Sequence, residues 1–231
     1  MVEAIELSKV YGEHTALNKL NLKVEAGEVF CLLGQNGAGK TTAINLFLGF
    51  TEPTSGRALI NSTEVKVNDA ATKKYLAYIP EVVMLYGNLT ATENLDFFSR
   101  LAGFKYQKNE LNDFLLQAGL QPEAFTRQLG NYSKGMRQKV GIAIAVAKNA
   151  DVIFMDEPTS GLDPKATNEF TEIVKGLGKQ GKSVFMATHD IFNAVNVGTK
   201  IGIMRQGELV HTINAADINA NDLQKLYLET I

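Results

Sequence analysis

Residues 34–42 read GQNGAGKTT, and their types and spacing suit a loop that wraps phosphate. Gly34, Gly37 and Gly39, followed by Lys40 and Thr41, fit the pattern G-x-x-x-x-G-K-[ST]. Glycines let the backbone turn sharply and aim successive N–H groups at phosphate oxygens. The helix expected to start behind the loop adds partial positive charge. Lys40 is then expected to reach the β- and γ-phosphates of a nucleotide. Thr41 should place its hydroxyl on Mg²⁺, with Thr42 close enough to assist. The complementary acids are Asp156 and Glu157, at the end of the apolar run VIFM. There Asp156 is expected to hold Mg²⁺ directly or through water, and Glu157 to polarise an attacking water as general base. Together these parts describe a nucleoside triphosphatase. No N-K-x-D follows the loop, which argues against a GTPase, and no acceptor or lid signal of a small-molecule kinase is evident.

These residues need elements to position them, and the pattern supplies them. VEAIELSKVY (2–11) and ALNKLNLKVE (16–25) read as strands, and Leu20, Leu22 and Val24 alternate as in a half-buried one. VFCLL (29–33) is continuously apolar, as expected of a strand buried on both faces. After the loop, Ile44, Phe47 and Leu48 recur at helical spacing, and Gly49 is a plausible stop. Buried strands are expected again at 151–158, 183–190 and 200–207, the last leading into GELVHTI, with a helix near 164–178. Strands alternating with helices imply a mainly parallel sheet covered on both sides. Residues 83–148 differ: 91–103, 109–119 and 133–148 are helical in pattern, as is the tail at 222–231. The reading is therefore an α/β catalytic core formed by 1–82 and 149–231, with a helical lobe at 83–148 inserted between sheet strands.

Composition narrows the class. The chain has 231 residues, an apolar fraction of 45% and a formal net charge of −2. It therefore can bury a substantial core and lacks the basic footprint of a general nucleic-acid binder. Cys31 is the single cysteine, expected as a small buried residue, and forms no intrachain disulfide. The N-terminus does not read as a signal peptide. No run nears the roughly 18 apolar residues that span a bilayer, so any membrane span is expected from another chain.

The stretch 131–164, NYSKGMRQKVGIAIAVAKNADVIFMDEPTSGLDP, resembles the ATP-binding subunits of ABC transporters, and the resemblance covers nearly the whole chain. It implies a P-loop NTPase (RecA-like) fold with N-terminal antiparallel strands. Gly34, Asn36, Gly37, Ala38, Gly39, Lys40, Thr41 and Thr42 fall in the family's Walker A motif. Val152 to Glu157 match Walker B with its catalytic glutamate, and Ser160 to Asp163 match the D-loop. His189 matches the switch histidine, and Tyr11 the aromatic residue that stacks on adenine. YSKGM (132–136) occupies the signature position, where Ser133 can cap the next helix and Gly135 permits close approach. In the family, two such subunits close head to tail. Each ATP then lies between Walker A of one chain and the signature of the other, whose helix N-terminus faces the γ-phosphate.

Two departures stand out. Tyr132, Lys134 and Met136 replace the family's Leu, Gly and Gln; Lys134 could add charge near the phosphate, but is expected rather to point to solvent. Glu81 stands where the family has the glutamine that contacts Mg²⁺ and the attacking water, and is expected to keep that role. Similar S-K-G-M and proline–glutamate versions occur in export-type members of the ABC-2 kind. Val82, Val83, Leu85 and Tyr86 suit either the core or the groove that receives a coupling helix from the membrane partner. His14 and His211 are expected at the surface without a role. The resemblance thus implies an ATPase subunit working with ATP and Mg²⁺, peripheral on the cytoplasmic face of the membrane. It would act as a homodimer, or a heterodimer with a paralogue, and drive a separate transmembrane permease. The rival is an ABC ATPase acting on ribosomes or DNA, but such proteins usually carry two ATPase domains or a long coiled-coil insert, and neither is seen here.

Overall fold

A computed structural model describes residues 1–231. Two sheets organise it. Strands β1 (Val2–Tyr11), β2 (His14–Val24), β4 (Ser55–Ile60) and β5 (Thr63–Glu64) form an antiparallel sheet in the order β2-β1-β4-β5. Strands β3 (Val29–Gly34), β6 (Leu76–Ile79), β7 (Val152–Asp156), β8 (Ser183–Thr188), β9 (Lys200–Arg205) and β10 (Glu208–Asn214) form the second sheet, ordered β10-β9-β3-β8-β7-β6. Its pairings are parallel except for the β9–β10 hairpin.

The apolar runs explain why this sheet lies in the middle. In β3, Phe30 and Leu32 join one buried cluster, whereas Val29, Cys31 and Leu33 join the other. Strands β7 and β8 divide in the same way: Phe154 and Phe185 face one side, Met155 and Met186 the other. A strand with period-two side chains and no polar face must be covered twice. The first cover is the antiparallel sheet with helix α1 (Lys40–Phe47), whose Phe47 ring packs on Phe154 of β7 and Phe185 of β8 with centroids 5.5 and 5.7 Å apart.

The second cover is helical. Helices α2 (Ala91–Leu101), α3 (Lys108–Gln117) and α4 (Lys134–Ala147) pack on one another. Leu95, Leu111, Leu115 and Val140 lie in one continuous cluster with Cys31 and Met155 of the sheet. The helices thus fall where the sequence pattern put them, but they share the hydrophobic core of the sheet. Leu101, the last residue of α2, is exposed where the helix ends and Gly103 turns the chain at φ +90°. Helices α5 (Pro164–Lys179), α6 (Ile191–Val197) and α7 (Ala220–Thr230) complete the fold. The sequence pattern did not foreshadow β4, β5, β6 or α6. Cys31 is fully buried, and burial pushes its thiol pKa up.

Candidate active site

The phosphate loop runs from the end of β3 into α1, with Gly37 and Gly39 in the left-handed region at φ +83° and +107°. Glycine is also required sterically. A Cβ on Gly39 would stand 2.5 Å from the Ala16 carbonyl oxygen, and one on Gly34 would stand 2.8 Å from that of Met204. The loop therefore rests directly on backbone from β2 and β9. The Lys40 ammonium is drawn back into this loop. It donates to the carbonyls of Gly34 at 2.6 Å and Gln35 at 3.2 Å, and lies 3.7 Å from Glu157 Oε1. Burial lowers its pKa, and the charges of Glu157 and Asp156 oppose that shift.

The acids arrive on the carboxyl end of β7. Thr41 Oγ1 donates to Asp156 Oδ2 at 3.0 Å, which ties the start of α1 to the strand. Burial raises the Asp156 pKa. The Thr41 hydrogen bond opposes the rise, while the charges of Glu157 and Glu81 add to it. Glu157 follows with φ +45°, a left-handed conformation costing about 1–2 kcal/mol for a non-glycine residue. Its N–H donates to the Ala187 carbonyl at 2.9 Å, which fixes this kink against β8. The kink aims the carboxylate between Lys40 and His189. Oε2 lies 2.8 Å from His189 Nδ1 and accepts from the His189 N–H at 3.3 Å. Oε1 is buried without a hydrogen-bond partner.

These groups line an open cleft of about 440 Å³. Of the residues singled out by sequence, Tyr11, Asn36, Gly37, Gly39, Lys40, Thr41, Thr42, Glu81, Asp156 and Glu157 line it. Tyr11 is half exposed at the rim, with the Lys9 ammonium 4.9 Å from its ring centre. Gly34 lies beneath, as acceptor for Lys40. Ala38 is buried and turns toward Met204 and Arg205 instead. His189 is not among the lining residues and reaches the site through Glu157. His14, Ala16 and Gln35 also line the cleft. His14 is exposed as expected, yet it stands at this cleft; Gln35 lies inside the glycine motif, and that position is the available signal.

Ser133 and Gly135 are elsewhere, in a second cleft of about 210 Å³ that shares no lining residue with the first. Met136, Leu162 and Asp163 are their neighbours there. Ser133 caps α4, its Oγ accepting from the Met136 N–H at 3.3 Å. A Cβ on Gly135 would meet only ordinary contacts, at 3.5 Å or more, so the chain's own packing does not require glycine there. Tyr132 is buried and its hydroxyl donates to the Ala124 carbonyl, an anchor for the stretch. Lys134 corrects an expectation: its ammonium does not simply face solvent but lies 3.5 Å from the Glu81 carboxylate. Opposite charge and the approach of α4 to residues 80–81 account for the pairing. Of the stretch 82–86, Val83 is core, whereas Val82 and Tyr86 are exposed.

Residues 17–160 match the profile of the ABC transporter family. An uncharacterised ABC transporter ATP-binding protein of Synechocystis is 37% identical over 96% of this chain and 65% of its own length. The bacitracin transport ATP-binding protein BcrA of Enterococcus faecalis is 34% identical over 95% of this chain and 71% of its own. A dimeric ATP-binding cassette solved in a post-hydrolysis state with ADP and Pi superposes with a TM-score of 0.81. It is 28% identical, covering 93% of this chain and 99% of that one. The chain belongs to the ABC transporter family, as an α/β ATP-binding cassette of the ATPase class.

Proposed function

We propose that the chain is the ATP-hydrolysing subunit of an export-type transporter, in which two copies close head to tail around two ATP molecules. The observation that carries this reading is the separation of the two clefts: one chain holds a phosphate loop and a capped signature helix that do not meet. A second copy, turned about a twofold axis, brings them together. The dimeric cassette and the bacitracin transport protein support the same reading.

The residues fit Mg²⁺. Asp156 is a partly buried acid whose side chain accepts one hydrogen bond, from Thr41, and burial raises its pKa, so a cation would relieve it. No cluster of three or more His, Cys, Asp or Glu side chains could hold a metal alone. That suits an ion bound through one or two carboxylates plus substrate phosphates. Thr41, Asp156 and Glu81 would hold it, and it would neutralise charge on the β- and γ-phosphates. Lys40 is positioned to leave the Gly34 carbonyl for phosphate oxygens. Glu157 accepts a proton from water as the water oxygen bonds to the γ-phosphorus and the bond to the ADP oxygen breaks. His189 holds Glu157 in place and stands ready for the γ-phosphate, and Tyr11 at the rim suits adenine. Ser133 and Gly135 of the second copy complete the phosphate shell.

No helix is long and apolar enough to cross a membrane, so the span is assigned to a separate permease, with this chain on its cytoplasmic face. Its docking surface is the exposed apolar group Val82, Met84, Tyr86, Phe97 and Leu101, where Tyr86 and Phe97 pack edge to face at 5.1 Å. The test is light scattering on Glu157→Gln with and without Mg-ATP. Conversion of monomer to dimer supports the reading; a chain that binds ATP and stays monomeric even with its permease refutes the head-to-tail mechanism.

A further inference from the structure

The residues that depart from the family pattern at positions 81 and 134 face each other. Glu81 lines the nucleotide cleft, and Lys134 opens the signature helix α4, yet their charges lie 3.5 Å apart in one chain. A second contact makes the pairing more than a chance meeting of surface side chains. Gln138, fully buried one turn further along α4, donates from Nε2 to the carbonyls of Pro80 at 3.2 Å and Glu81 at 3.0 Å. Val83 packs over Gly141 on the same helix, where a Cβ would come within 3.4 Å. The backbone at residues 80–83 is therefore fastened to α4, and the free element is the Glu81 carboxylate, whose side chain is half exposed. It has two destinations: the Lys134 ammonium, or the cleft that it lines.

We propose that Lys134 is a positioning residue that holds the Glu81 carboxylate at the wall of the cleft, turned toward α4, while the site is empty, and that Glu81 gives up this ion pair when magnesium nucleotide binds. The pair then acts as a nucleotide-sensitive tether between the ATP site of a chain and the signature it offers to a second copy. Lys134 offsets part of the charge of this third carboxylate on the cleft that also holds Asp156 and Glu157. This inference rests on the nucleotide reading of the cleft given above.

The test is a thermal double-mutant cycle of Glu81→Gln, Lys134→Gln and the double variant, in a Glu157→Gln background that halts turnover. Melting is measured without nucleotide and with saturating Mg-ATP, at low and high salt. Without nucleotide, the two substitutions should be non-additive by about 1–3 °C, the size expected of a partly exposed pair, and salt should shrink the coupling. With Mg-ATP the coupling should vanish. Coupling that persists unchanged with Mg-ATP, or its absence from the empty chain, overturns the tether. The nucleotide reading is checked separately by the parent chain, whose melting temperature must rise with Mg-ATP. Absence of that rise would sink the reading of the cleft, while the coupling in the empty chain would still report on the pair.

Discussion

The phosphate-loop cleft and the signature cleft are built on opposite terms. The first is assembled in advance: glycines packed on backbone, Lys40 buried against two carbonyls, and Glu157 held in a left-handed turn between β7 and β8. The second is a smaller joint of helix starts, where Ser133 caps α4, Asp163 caps α5, and a Cβ on Gly135 would meet only ordinary contacts. Preorganisation belongs where charge must be stabilised during the reaction. On the proposed reading, one chain carries the hydrolytic groups, and a second copy supplies the cover over the phosphates.

The sharpest way to break this comparison is to disable chemistry without touching closure. Glu157→Gln should lower turnover by about 10²–10⁴, the usual contribution of a general base, while nucleotide still raises the melting temperature. Turnover within tenfold of the parent would show that the strained turn serves packing alone. Next comes closure without chemistry. Ser133→Ala should weaken ATP-driven association roughly tenfold or more and lower the melting temperature by about 2–4 °C through the lost cap. Affinity of the monomer for nucleotide should stay as it was, and a parallel loss would place Ser133 in the cis site instead.

A smaller effect tests the preassembled cleft itself. Asp156 carries a pKa raised mainly by burial, so its ionised form destabilises the empty fold. The folded chain binds that proton more tightly than the unfolded chain does. Stability from this group is present at low pH and is lost as pH rises from the ordinary carboxylate range through the raised value. Asp156→Asn should therefore melt a few degrees higher than the parent at neutral pH without nucleotide. It should also lose most of the extra stabilisation that Mg²⁺ adds to ATP. A variant that melts lower would mean that the Thr41 hydrogen bond outweighs desolvation. The least disruptive change is Glu81→Gln, which restores the amide usual in the family and should reduce turnover by no more than about threefold, in line with a lost exposed ion pair. Near-complete loss would show that the negative charge itself is needed.

Much of this was legible because the chemistry sits in contiguous runs. GQNGAGKTT and VIFMDE each contain both a strand end and the groups that it delivers. β3, β7 and β8 are apolar on both faces, so their central place followed from composition. Most of the elements that the pattern misses are short or at an edge; β4, with six residues between β1 and β5, buries only Ala58 and Ile60 and so shows little apolar pattern. LAYI in β6 has four residues and β5 has two, too few to show a period, and α6 has seven. The left-handed turn at Glu157 leaves no trace in residue type. The Glu81–Lys134 pair spans a long stretch of chain, and no local pattern announces it. His14 looked idle because its place at the cleft is created by the β1–β2 hairpin folding over the loop.

The separation of the two clefts also has a genetic corollary. In a head-to-tail pair each site borrows half its parts, so two defective chains can complement. A chain damaged at Lys40 and a chain damaged at Ser133 would form one ruined site and one intact site. Both lesions in one chain, paired with an undamaged copy, would leave no intact site at all. Whether two mutations lie in cis or in trans would then decide whether any complete machinery survives, although the same residues are lost in both cases.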